Sequence, residues 1–178
     1  MIQNILLALA LVFVGFLIFG FVKSSALKSL RIEKSVTIPA ASEKVFEMVQ
    51  YLEKFPQWSP FLAQDPGLKY NLEGVDGQPG ARYHWNGRGG KDVGFQEIVE
   101  VKPHDLIRMR CDITKPFVAK PTFDYHFQPS AQGIEVKQIF QLQTDAVSAF
   151  FMWLFGAKAE MEKTNQQGLD LLKKACVS

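Results

Sequence analysis

The chain has 178 residues, 47% of them hydrophobic, with 20 basic and 18 acidic side chains. Residues 23–34 hold four basic side chains against one acidic, which leaves the body from residue 35 near neutral, with 16 basic and 17 acidic. A neutral body argues against a nucleic-acid partner, which selects a basic face. The two cysteines, Cys111 and Cys176, show no CxxC or metal-ligand spacing, so neither a metal nor a cofactor is expected.

In chain order, residues 5–22 read ILLALALVFVGFLIFGFV without one polar side chain. With the residues ahead of it, this run rises about 30 Å as a helix, enough to cross the hydrocarbon core of a bilayer. A cleaved secretory signal is the rival reading, since Ser24, Ser25 and Ala26 are small. However, no Lys or Arg precedes the run, and it is longer than a signal core of about 7–15 residues. The expectation is a single-pass anchor over residues 1–22 and a basic juxtamembrane linker over 23–34. Lys23, Lys28, Arg31 and Lys34 on that flank place the body on the cytoplasmic side by the positive-inside rule.

The body, residues 35–178, opens with an alternating strand, Val36 and Ile38 sharing one face. Ser42 then caps a helix whose apolar side is Val45, Phe46, Val49 and Leu52. Pro56, Pro60 and Pro66 end it, leaving room for one short second helical turn. From residue 68 the period changes to two. Strands are expected near 68–74, 80–86, 91–102, 105–114, 119–128 and 133–143, with short links that make neighbours antiparallel. Residues 146–175 return to helical spacing, with Val147, Phe150, Phe151, Leu154, Met161, Leu169 and Leu172 on one side. This is an α+β pattern: a curved antiparallel sheet of seven strands wrapped around a long C-terminal helix, two short helices after the first strand, and an N-terminal transmembrane helix.

The stretch YHWNGRGGKDVGF, residues 83–95, invites reading as a phosphate loop. A P-loop needs Gly five positions before Gly90 and Ser or Thr after its Lys; Trp85 and Asp92 stand there instead. Both flanks read as strands, so the stretch is a glycine-rich hairpin turn.

Binding residues are sought on the inward strand faces. Tyr83 and Trp85 oppose Arg82 and His84; Phe95 shares a face with Val93, Glu97, Val99 and Val101. Met109 and Cys111 oppose Arg108 and Arg110, and Phe123, Tyr125 and Phe127 oppose Asp124 and His126. Val136, Gln138 and Phe140 share a face. With Phe151 and Leu154 of the last helix, these aromatics interrupted by a few polar groups have the composition of a small-molecule cavity; a packed core has the same periodicity. Glu97 is either a carboxylate meeting the polar end of a ligand or acting as a general base, or is turned to solvent by a bulge. His84 and His126 fall on outward faces and His104 in a turn, and Cys111 reads as a small core residue.

The run VTIPAASEKVF (36–46), WSPF (58–61), DPGLKY from Asp65, GARYHW from Gly80 and GLDLLK from Gly168 resemble the SRPBCC superfamily. This is the START-like, birch-pollen-allergen type of helix-grip fold, and the likeness is to its polyketide cyclase/dehydrase and lipid transport branch. The resemblance covers the chain from about Arg31 onward and implies a cavity for a hydrophobic small molecule or lipid. Three functions remain open. One is a membrane-tethered module that holds a lipid-like or polycyclic molecule. Another is a cyclase, dehydratase or hydrolase using Glu97, Tyr83, Tyr125 or Cys111 as acid–base groups. The last is an interaction domain without a ligand. The sequence names no protein partner.

Overall fold

The computed structural model describes residues 2–61 and 67–178; Asp65 and Pro66 of the DPGLKY motif lie outside them. The elements in order are α1 (Ile2–Ser24), a 3₁₀ turn (Ser25–Lys28), β1 (Ser29–Ile38), α2 (Ser42–Gln50) and a second 3₁₀ turn (Leu52–Gln57). There follow β2 (Lys69–Glu73), β3 (Arg82–Gly87), β4 (Asp92–Lys102), β5 (Leu106–Lys115), β6 (Thr122–Ser130), β7 (Gly133–Gln143), α3 (Ala146–Leu154) and α4 (Ala157–Val177). The seven strands form one sheet of order β1-β7-β6-β5-β4-β3-β2. The fold is the expected α+β arrangement, and residues 88–91 form a β3–β4 hairpin turn in which Gly90 N donates to Gly87 O at 3.0 Å.

The chain divides into two compact units, residues 31–142 with 162–178, and residues 1–30 with 143–161. The larger unit has one hydrophobic core. Leu169, Leu172 and Cys176 of α4 pack with Val45, Phe46 and Val49 of α2 and with Tyr83, Ile98, Ile107, Met109, Tyr125, Phe127 and Val136 of the sheet. Leu169 and Leu172 are fully buried, each stabilising the fold by about 2 kcal/mol relative to exposure. The opposite face of the sheet carries ion pairs: Arg108 donates to Asp124 at 2.8 Å and to Glu100 at 2.9 Å.

In the smaller unit α1 is apolar from Ile5 to Val22 with nearly every side chain there exposed, and it is long and apolar enough to cross a membrane. It packs on α3 through aromatic rings. Phe21 stacks on Phe150 at 4.9 Å, and Trp153 lies 6.0 Å from both Phe16 and Phe19. Gly20 provides the slot, since a Cβ there would come within 2.3 Å of the Phe150 ring.

Three expectations change. The first strand begins at Ser29, not Ser35, so Arg31 and Lys34 of the expected linker are strand residues. Arg31 bonds Glu33, which also pairs with Lys137. The single helix over 146–175 is two helices, because Gly156 adopts φ +66° and stops α3. Asp145 starts α3 by accepting from Val147 N and Ser148 N at 2.8 and 2.9 Å. Finally, the inward phase of β4 is the even-numbered one, with consequences for the site.

Candidate functional site

The inner face of the sheet is set by cross-strand register. Tyr83 pairs Gln96, Gln96 pairs Cys111, and Ile98 pairs Met109. Further along, Met109 pairs Phe123, Phe123 pairs Phe140, and Tyr125 pairs Gln138. Residues directly opposite share a face, so these side chains project to one side, the side of α4 and the core. Rings run across it in contact. Tyr70 stacks on Tyr83 at 4.9 Å, and Phe55 meets Tyr83 edge-on at 5.2 Å. Trp58 joins Phe55 at 4.8 Å to Tyr125 at 5.9 Å, and Phe123 stacks on Tyr125 at 6.4 Å and meets Phe140 at 5.2 Å. Trp58 is held by its indole N–H, which donates to Met48 O at 2.9 Å.

Polar atoms interrupt this apolar wall. Gln138 Nε2 donates to the Tyr125 hydroxyl at 2.9 Å, and Cys111 Sγ lies 3.8 Å from Gln96 Oε1. Three buried polar atoms have no hydrogen-bond partner among the described residues: Tyr83 Oη, Gln138 Oε1 and Asn165 Nδ2. Exchanging oxygen and nitrogen in either carboxamide changes which atom is unpaired, not the existence of uncommitted amide polarity. Asn165 belongs to the buried stripe of α4 with Gly168, Leu169, Leu172 and Cys176. Burial raises the pKa of both Tyr83 and Tyr125, with Tyr70 adding to the rise at Tyr83. Burial pushes the Cys111 thiol up to about 12. These groups are therefore neutral near pH 7 and suited to hydrogen bonding rather than to proton abstraction.

Of the residues singled out from the sequence, Tyr83, Met109, Cys111, Tyr125, Phe127, Val136, Gln138 and Phe140 are buried. Trp85 and Phe123 pack half-buried against that core. Trp85 also borders an open hollow of about 220 Å³ at the β2–β3–β4 corner, its indole N–H donating to Asp92 at 3.1 Å.

Four residues lie elsewhere. Glu97 pairs across the strands with Arg82 and Arg110, on the outer face. Its Oε2 accepts from Arg82 Nε and from Arg110 Nη2, each at 2.9 Å. Burial works to raise its pKa, but the hydrogen bonds from Arg110 and Arg82 more than offset this and hold the carboxyl below its ordinary value. Phe95 is beside it on the outer face, covered by the Arg82 guanidinium at 5.1 Å and the His84 ring at 5.5 Å. Phe151 and Leu154 are half-exposed on α3, in the smaller unit.

The misplacement on β4 has a definite cause. The pairing of β4 with β5 slips between Ile98 and Glu100, a bulge that leaves Val99 exposed and returns Val101 to the inner face opposite Ile107. Before the bulge Gly94, Gln96 and Ile98 face inward, so the odd-numbered apolar series misreports the phase. Arg82 and His84, already outward on β3, sit opposite Glu97 and Phe95, and that register was the available signal. Gln96, Asn165, Tyr70, Phe55 and Trp58 were missed. Only Asn165 had a local cue, its spacing of four from Leu169 on α4.

His84 Nε2 lies 2.8 Å from Glu73 and His104 Nε2 lies 3.3 Å from Glu43. His126 sits opposite Lys137. Among the described residues no cluster of three or more His, Cys, Asp or Glu could hold a metal ion.

The family described as polyketide cyclase / dehydrase and lipid transport matches residues 29–177. No curated protein matches the chain significantly. Among solved structures, Ara h 8.0201 is 13% identical over 84% of this chain and 98% of its own, with a TM-score of 0.61. Protein MLL2253 from Mesorhizobium loti is 13% identical over 82% of this chain and 96% of its own, also at 0.61. The di-domain ARO/CYC StfQ from the steffimycin biosynthetic pathway is 11% identical over 83% of this chain and 50% of its own, at 0.60. At such identities the likeness is one of fold.

Proposed function

The chain belongs to the polyketide cyclase / dehydrase and lipid transport family, and on that premise we propose that it is a membrane-tethered module binding a neutral, largely apolar small molecule between its sheet and α4. The observation that carries this reading is the set of three buried polar atoms unpartnered among the described residues, Tyr83 Oη, Gln138 Oε1 and Asn165 Nδ2, in an otherwise apolar interior rich in aromatic rings. A buried polar atom left without a partner costs about 1–3 kcal/mol, and a ligand hydroxyl or carbonyl would recover it. A phenol and two carboxamides offer both donors and acceptors but no charge. Each of the three is uncharged, so a ligand group meeting any one of them is accordingly uncharged, since a buried carboxylate needs a cation. Thus a sterol-like or polyketide-like alcohol or ketone fits better than an ionised fatty acid.

Two observations support tethering by α1. From Ile5 to Val22 its side chains are apolar all round and nearly all exposed, the state of a helix solvated by lipid. Removing it as a cleaved signal would strip Phe150 and Trp153 of their ring partners Phe16, Phe19 and Phe21. Lys23 and Lys28 at its C-terminal end favour a cytoplasmic body.

Native mass spectrometry of the detergent-extracted full chain tests the binding reading. A co-purifying neutral adduct is expected, reduced in Gln138→Leu and Asn165→Leu. An adduct-free mass from several expression hosts, with no uptake from sterol- or polyketide-containing vesicles, would refute it.

A further inference from the structure

Residues 146–156 read AVSAFFMWLFG, with Ser148 the only polar side chain and no charge. Within them α3 buries Ala149 and Phe150, whereas Val147, Phe151, Leu154 and Phe155 are 44–75% exposed. A helix on a water-facing surface carries polar residues on its outer side; this one carries aliphatic and aromatic ones.

The buried side of α3 meets a defined stretch of α1. Phe150 packs on Phe16 and Phe21, Trp153 packs on Phe16 and Phe19, and Phe150 lies against Gly20. On that stretch Ile18, Phe19 and Val22 are themselves largely exposed. Lys23 begins the basic flank and its Nζ reaches back over the Phe19 ring at 5.6 Å. In a spanning α1, Lys23 marks the headgroup level. Phe16 to Phe21 then lie within about 10 Å below it, at 1.5 Å per residue. Any helix packed on those residues shares their depth.

The backbone of α3 is compatible with such a position. Asp145, on the basic-flank side of the unit, accepts the first amides, while Thr144 N donates to Lys28 O at 2.9 Å. At the far end Phe155 N and Gly156 N donate to Phe151 O and Trp153 O, at 3.0 and 3.2 Å. Internal satisfaction of amides is what lipid demands.

We propose that α3 is a second membrane-embedded element, an interfacial helix laid against the last turns of α1 with Val147, Phe151, Leu154 and Phe155 in contact with acyl chains. The inference rests on α1 being a membrane anchor. The lipid surface is its occupant because α3 packs directly on the span itself.

The test uses the full chain in phosphatidylcholine/phosphatidylglycerol vesicles, with an environment-sensitive fluorophore on one introduced cysteine at a time. The native Cys111 and Cys176 are buried. Phe151→Cys and Phe155→Cys report on α3, Leu9→Cys on α1 and Val118→Cys on an exposed loop of the body. Lipids carrying a nitroxide near the glycerol should quench both α3 labels strongly. Lipids with the nitroxide near the chain end should quench the Leu9 label more, and Val118 should respond to neither. A quenched Leu9 label with unquenched α3 labels would overturn the inference and leave the anchor standing. If Leu9 is also unquenched, the anchor fails and the inference falls with it. Blue-shifted α3 labels that resist quenching and cross-link between chains would show that a second copy covers the face, and would also overturn it.

Discussion

Tyr83→Phe removes one oxygen from a side chain that is 2% exposed and should stabilise the ligand-free protein. The ring keeps its stack on Tyr70 at 4.9 Å and its edge contact with Phe55 at 5.2 Å, so packing is unchanged to first order. What disappears is a buried hydroxyl with no partner among the described residues, whose desolvation costs about 1–3 kcal/mol. A gain of about 1 kcal/mol corresponds to about 2–4 °C in Tm for a chain of this size. The assay is thermal unfolding in detergent after delipidation, followed by circular dichroism, with adduct retention measured by native mass spectrometry on the same preparation. The expected pair of results is a higher Tm and weaker ligand retention, because the hydroxyl is costly without a ligand and useful when a ligand group meets it. A Tm that falls would show that the hydroxyl makes a hydrogen bond in the ligand-free protein. The Tyr83 hydroxyl would then need no ligand to satisfy it, and the binding reading would be refuted.

Glu97→Gln should leave ligand retention intact and destabilise the fold by about 1 kcal/mol at neutral pH, since it weakens two charge-assisted bonds to a partly exposed pair of arginines. Because the folded Glu97 carboxyl lies below its ordinary value of 4.5, its contribution is complete above that value and is lost as pH falls through the depressed one. The stability gap between wild type and Glu97→Gln, read by urea unfolding, should therefore close on acidification. Gly133→Ala places a Cβ 2.2 Å from Ile38 O at a residue with φ +121°; a loss of about 3 kcal/mol is expected in the same unfolding assay. Cys111, buried with its thiol pushed up to about 12, and Cys176, also raised by burial, should resist thiol reagents until the chain is denatured. Rapid labelling of either in the native protein would contradict the packed interior around α4.

What was readable from the sequence was whatever local periodicity controls. Alternation along residues 68–143 reported six strands in order, and short turns such as residues 88–91 made them a meander. The uninterrupted apolar run reported α1 by length alone. Phe123, Tyr125, Val136 and Gln138 were placed on the right face because β6 and β7 pair without a slip. Phase is more fragile than element type. One bulge at Ile98–Glu100 turned Glu97 and Phe95 outward, although an odd-numbered apolar series suggested otherwise, because a single extra residue exchanges the two faces of a strand. The apolar side of residues 146–154 was equally legible, but not what it packs on; Gly156 separates it from α4, and its rings seat on α1, more than a hundred residues earlier. That Tyr83 Oη, Gln138 Oε1 and Asn165 Nδ2 find no partner among the described residues was beyond any local pattern, since whether a polar atom is satisfied depends on neighbours from other elements. Sequence thus determined the elements and their amphipathic character, through short-range periodicity. Tertiary structure alone decided which groups are buried together and which are left without a partner, because that is set by contacts between residues far apart in the chain.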